Sequence, residues 1–139
     1  MGDSLLICTN GQESTWPAIE YGAWLAAALR APVTLLGVAE RLPASPIDER
    51  HPLEPIFERA VALFGQKGLE YTLEVRNGDA EQVIPKEARK RDGVVVIGRL
   101  ARPPLRRLLA GASIRRLLAE IASPVLYVPR ACLPLKRML

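Results

Sequence analysis

Five short apolar runs punctuate the chain, and longer stretches with helical spacing separate them. "SLLICT" (Ser4–Thr9) reads as a buried strand that stops at Asn10-Gly11. Ser14 or Thr15 is placed to cap a helix, and Pro17 suits its first turn. This helix is predicted to reach about Arg30. Its apolar residues Ile19, Trp24, Leu25 and Leu29 fall on several sides, which predicts a well-buried element. "VTLLGVA" (Val33–Ala39) is a second buried strand, and the proline-rich "RLPASPIDERHP" is a loop. Leu53–Gln66 is predicted helical, with Ile56, Val61 and Leu63 towards the core and Gly68 ending it. "YTLEVR" (Tyr71–Arg76) alternates as a third strand. "NGDAEQVI" turns into a helix reaching about Arg91, with Asp79 as its cap. Pro85 inside it should kink the helix or end its first turn. The β-branched run Val94–Ile97 suits a strand covered on both faces. A helix from about Gly111 to Ile121 and a fifth strand, Pro124–Val128, complete the order.

Strands that alternate with helices across short connections demand crossovers, hence a parallel sheet between two helical layers. The expected fold class is therefore α/β, a three-layer sandwich. Residues 1–139 read as a single domain without repeat, low-complexity segment or internal linker. Residues 131–139 form a tail that either packs across a partner subunit or stays disordered, the blander reading.

Composition narrows the classes. Apolar residues make up 49% of the chain and charged residues 24%, the balance of a soluble globular protein. No apolar run approaches the ~20 residues of a membrane helix. The start "MGDSLLICTNG" has neither a signal peptide's basic start nor its cleavage site, and Leu6 breaks the myristoylation pattern. Cys8 and Cys132 lie far apart, and a cytoplasmic setting without a disulfide is the expectation. The sole histidine, His51, cannot build a multi-histidine zinc site, and no metal is expected.

Charge is divided unevenly. From Val94 onward nine basic residues face one acid, Glu120, for a net of +8, whereas the preceding residues carry −4. One end of the fold should be electropositive and suit anionic partners.

In open parallel sheets, ligands bind beyond the carboxyl ends of the strands, where the winding direction reverses. If the first and fourth strands are neighbours there, two loops meet: "TNGQES" and "GRLARPPLRRLLAGAS". The amino end of the helix near Gly111 then offers free N–H groups, which favour phosphate.

From about Leu5 to Val128 the chain resembles the universal stress proteins. The likeness rests on "LLICTNGQES", "LLGVAE", "VRNGDAEQVI" and, most specifically, "VVVIGRL…LLAGAS…LLAEIASPVLYVP". It implies a Rossmann-like, adenine nucleotide alpha hydrolase-like fold with strand order 3-2-1-4-5. It also implies a dimer paired through the edge strand Pro124–Pro129, and an adenine nucleotide, ATP or AMP, as ligand. ATP-binding members carry glycine, two residues, glycine, nine residues, glycine, then Ser or Thr. Here Gly98 and Gly111 hold the outer glycine positions, Ala101 stands at the middle one, and Ala112 at the hydroxyl position with Ser113 next. The family's strand-1 aspartate falls on Asn10, and adenine-side contacts fall on Thr9, Val38 and Ile97.

Each departure has a physical meaning, and Asn10 drops a charge but keeps its hydrogen-bonding capacity. Ala101 keeps a close backbone approach only if its φ is negative. Ala112 lacks a hydroxyl, and Pro103 and Pro104 cannot donate backbone hydrogen bonds. Against this stand Arg99, Arg102, Arg106 and Arg107, whose guanidinium forks suit phosphate oxygens. They equally suit a solvated loop, so nucleotide binding stays open.

Catalysis has little support: there is no Walker lysine motif, no paired acid–base set and no residue to activate water, so an enzyme is not expected and slow ATP hydrolysis is the upper limit. The leading expectation is a small dimeric regulatory protein with a weakened adenine-nucleotide pocket and an unidentified protein partner. The alternative is an adaptor that binds an acidic protein or nucleic acid through its basic C-terminal third. Tyr127 is the only aromatic ring there, which leaves nucleic acid without a stacking platform.

Overall fold

Each of the five apolar runs forms a strand within one residue of its expected bounds at either end. They are β1 (Leu5–Thr9), β2 (Val33–Ala39), β3 (Tyr71–Asn77), β4 (Val94–Gly98) and β5 (Val125–Val128). The computed structural model describes residues 4–40, 52–91, 93–99, 121 and 123–130. Among these, the helices are α1 (Trp16–Leu29), entered through a 3-10 turn at Glu13–Thr15, α2 (Glu54–Gln66) and α3 (Ala80–Arg89). All strand pairs are parallel and the sheet order is β3-β2-β1-β4-β5, the order the resemblance implied. The expected helix at 111–121 lies outside the described residues except for Ile121, as do the proline loop, His51, Cys132 and the tail.

β1 is central and wholly buried, which is why "LLICT" shows no alternation. Its residues divide between two cores. Leu5 and Ile7 join Val33, Leu35, Val96 and Val128 beneath α1 and α2. Leu6 and Cys8 join Leu36, Val38, Val95 and Ile97 beneath α3. Burial pushes the Cys8 thiol well above its ordinary pKa, partly offset by the nearby charge of Arg91. Two glycines set how closely the helices approach. A Cβ on Gly37 would stand 2.6 Å from the Phe57 ring, and one on Gly22 2.5 Å from Ile7 Cδ1.

The helices depart from expectation in three places. α1 is apolar all round, yet only one side is buried: Ile19 is enclosed, whereas Trp24 and Leu29 are exposed. On α2 the core stripe is Ile56, Ala60 and Phe64, one turn apart, and Val61 and Leu63 are only half-buried. α3 runs through Pro85 from Ala80 to Arg89, with the proline ring buried.

α3 also carries a buried charge. Glu87 is 2% exposed and lies on the face that buries Ala80, Ile84 and Ala88. It is ringed by Arg76 at 3.2 Å, Lys90 at 3.2 Å and Arg91 at 3.2 Å. Glu74 of β3 completes the network, binding Arg76 at 2.8 Å and Arg91 at 2.7 Å. Burial alone would raise the Glu87 carboxyl. Hydrogen bonds from Lys90 and Arg91 and the charge of Arg76 outweigh it and hold the carboxyl below the ordinary glutamate value.

Candidate functional site

The loops leaving β1 and β4 meet, as the crevice at the topological switch requires. The contact is direct: Ser14 Oγ donates to the Arg99 carbonyl at 2.7 Å, across 85 residues of sequence. Gly98 is buried under the entry to α1. A Cβ there would lie 3.0 Å from both Thr15 Cα and Ala18 Cβ. The absence of a side chain at position 98 is thus demanded by helix packing, whatever the crevice holds.

The floor of the crevice is a closed hydrogen-bond network. Gly11 N–H donates to Thr9 Oγ1 at 3.0 Å, and Thr15 Oγ1 donates to the Gln12 carbonyl at 2.7 Å. The Thr9 and Thr15 hydroxyls are 2.5 Å apart, and with the Thr15 proton on Gln12, Thr9 is the donor between them. Asn10 is almost fully buried. Its Nδ2 donates to Gln12 Oε1 at 3.1 Å and Glu40 Oε1 at 3.2 Å, while its Oδ1 accepts from Gln12 N–H at 3.1 Å. Glu40 Oε2 accepts the Ala80 N–H at 2.8 Å. Asp79 occupies the N-cap position of α3 but makes no side-chain cap, so Glu40 from the end of β2 supplies that carboxylate instead. Among the described residues no buried side-chain polar atom lacks a partner.

Of the expected site residues, Thr9 and Asn10 therefore lie at the crevice with their polar groups engaged internally. Val38 and Ile97 lie near the carboxyl ends of β2 and β4, on either side of β1, with their side chains buried in the α3 core. Arg99 is exposed at the end of β4. Ala101, Arg102, Gly111, Ala112 and Ser113 lie outside the described residues. Gln12 and Glu40 build the site without having been singled out in the sequence, and Ser14, read there as a helix cap, instead bonds the Arg99 carbonyl. The Asn-Gly-Gln turn following β1 was the available signal for the first, since an asparagine side chain closes such turns.

Charge varies across the crevice. Glu40, Asp79 and Glu81 bring carboxylate oxygens within 4.8 Å of one another at the β2–β3 side. Arg99 stands on the β4 side. A separate cleft of about 270 Å³ opens at the other end of the strands, lined by Ala27, Arg30, Pro32, Lys67, Gly68 and Leu69.

A parallel sheet with this strand order and a crevice between the β1 and β4 loops defines a doubly wound α/β domain. The universal stress protein family model matches residues 1–129, and the chain belongs to that family. Solved structures share the fold at low identity. A universal stress protein in complex with cAMP is 18% identical with a TM-score of 0.68, covering 92% of this chain and 98% of its own. A universal stress protein from Archaeoglobus fulgidus is 20% identical with a TM-score of 0.62, covering 90% and 97%. A family protein from Arabidopsis thaliana with AMP bound is 18% identical with a TM-score of 0.61, covering 91% and 92%. No curated protein matches the chain. Among the described residues no helix is long and apolar enough to cross a membrane.

Proposed function

We propose that this chain is a small cytoplasmic regulatory protein that holds an adenine nucleotide weakly in the β1–β4 crevice and pairs through β5 as a homodimer. The observation that carries the ligand reading is the Ser14–Arg99 bond, which makes one crevice of two distant loops. Relatives crystallised with cAMP and AMP support the ligand class. The acidic group at the β2–β3 side repels phosphate, and Arg99 attracts it, so the phosphates point towards β4 and the base towards β2. Weak binding follows from the floor: Asn10 and Thr9 already have protein partners, and a ligand gains their hydrogen bonds only by displacing those. β5 supports the dimer as the edge next to β4, with Tyr127 exposed.

A thermal-shift titration with ATP, AMP and magnesium tests the ligand. At ~100 times the dissociation constant a nucleotide adds ~2.7 kcal/mol of apparent stability. A flat response up to millimolar nucleotide contradicts it.

A further inference from the structure

The sheet has a second open edge. β3 is seven residues long and pairs only with β2, and among the described residues no strand covers its other side. Long edges are normally defended by lysine, proline or a bulge, because their free N–H and C=O groups recruit another strand. "YTLEVRN" contains no lysine and no proline. Instead it leaves three apolar side chains in a row on the α1–α2 face, Tyr71 at 41%, Leu73 at 39% and Val75 at 49% exposed. The backbone polarity is also defined. Glu70 C=O accepts from Val33 N–H and Gly78 N–H donates to Ala39 C=O, so even-numbered residues bond inward to β2. Tyr71, Leu73 and Val75 therefore turn their backbone groups outward.

We propose that β3 is a self-pairing edge: a second copy of this chain adds its own β3 antiparallel, about a two-fold axis at Leu73. The side chains select that register. Pairing about Glu74 would set Glu74 opposite its copy, and pairing about Thr72 would set Glu70 opposite Glu74; like charges directly opposed are unfavourable. Pairing about Leu73 sets Leu73 on Leu73 and Tyr71 on Val75 on one face. On the other it sets Glu70 on Arg76 and Thr72 on Glu74. Every apolar side chain then meets an apolar one, Glu70 meets the opposite charge of Arg76, and no like charges are directly opposed. The outward-facing residues form the pairs that exchange both backbone hydrogen bonds. This contact is independent of pairing through β5. Two such self-complementary edges on one sheet join copies end to end rather than closing a ring.

Light scattering of the full-length chain across a micromolar concentration series, with residue-resolved amide exchange, tests this. The wild type should assemble with the Tyr71, Leu73 and Val75 amides protected. Leu73→Lys should abolish the contact and release those three amides while leaving Thr72 and Glu74, which bond β2, protected. Glu70→Arg should weaken association about tenfold by opposing Arg76 with a like charge. Tyr127→Lys probes the β5 contact and should leave the β3 amides protected. Three observations would overturn the proposal. One is free exchange at Tyr71, Leu73 and Val75 in the wild type, and another is an unchanged mass for Leu73→Lys. The third is protection that appears only when an unrelated extended peptide is added.

Discussion

Asn10 donates a hydrogen bond to Glu40, tying the end of β1 to the end of β2, and the other Glu40 oxygen caps α3 through Ala80 N–H. Where the family resemblance places an aspartate, an amide is thus matched to a neighbouring carboxylate. The pair also explains the local charge. With Asp79 and Glu81 close by, a further negative group at position 10 would add to an acidic rim. Asn10→Asp should therefore cost about 1–3 kcal/mol, from two lost donations and a buried like-charge contact. Urea unfolding measures this. The double variant with Glu40→Gln should recover part of the loss, because the amide can donate to the new carboxylate. An Asn10→Asp protein as stable as the wild type contradicts the pairing.

Glu87 makes acid stability predictable in sign. Its folded pKa lies below the unfolded value, so its contribution is fully present above the ordinary glutamate range. It fades as pH falls through that range towards the lower folded value. The Glu87→Gln variant should lose stability at neutral pH and show a shallower decline in acid, so that the two unfolding profiles converge at low pH. At neutral pH the loss should be about 2–3 kcal/mol, below the full cost of breaking a buried pair, since Arg76 and Lys90 remain partly in water. Parallel profiles for the two proteins contradict this reading.

Gly98→Ala separates packing from ligand binding. The added methyl meets Thr15 Cα and Ala18 Cβ, neither of which can swing aside. The variant should lose about 1–3 kcal/mol with no nucleotide present. A variant of unchanged stability that still loses nucleotide would return Gly98 to a purely phosphate-binding role.

The strands were legible because buried parallel strands are short apolar runs, and "LLICT", "VTLLGVA" and "VVVIG" show little else. Side-chain burial on the helices was less so. α1 is too uniformly apolar for periodicity to pick its inner face, so Trp24 and Leu29 misled. α3 carries a readable signal: Glu87 falls three residues after Ile84 on the same stripe, with Lys90 and Arg91 one turn on. The site divides similarly. Strand order brought Asn10 and Gly98 to one crevice, as the resemblance implied. The Glu40 cap was illegible because it joins residues forty positions apart, and Asp79, the local candidate, sits at the position it vacates.

Cys8 offers a measure of opening in the sheet's centre. It is a free thiol, fully buried on β1, and desolvation suppresses its thiolate, the reactive form. In a Cys132→Ser background, a disulfide reagent at neutral pH should react with Cys8 only as fast as the protein opens. The rate should then plateau with reagent concentration when reclosing is outpaced, and rise sharply in urea. The Cys8 side chain lies between the sheet and α3, so exposing it requires lifting α3 off the sheet or parting β1 from β2 and β4. The Asn10→Asp variant, which loosens the same strand end, should label faster in proportion to its lost stability when opening is at equilibrium. Prompt, stoichiometric labelling of the native protein would contradict the buried position of β1.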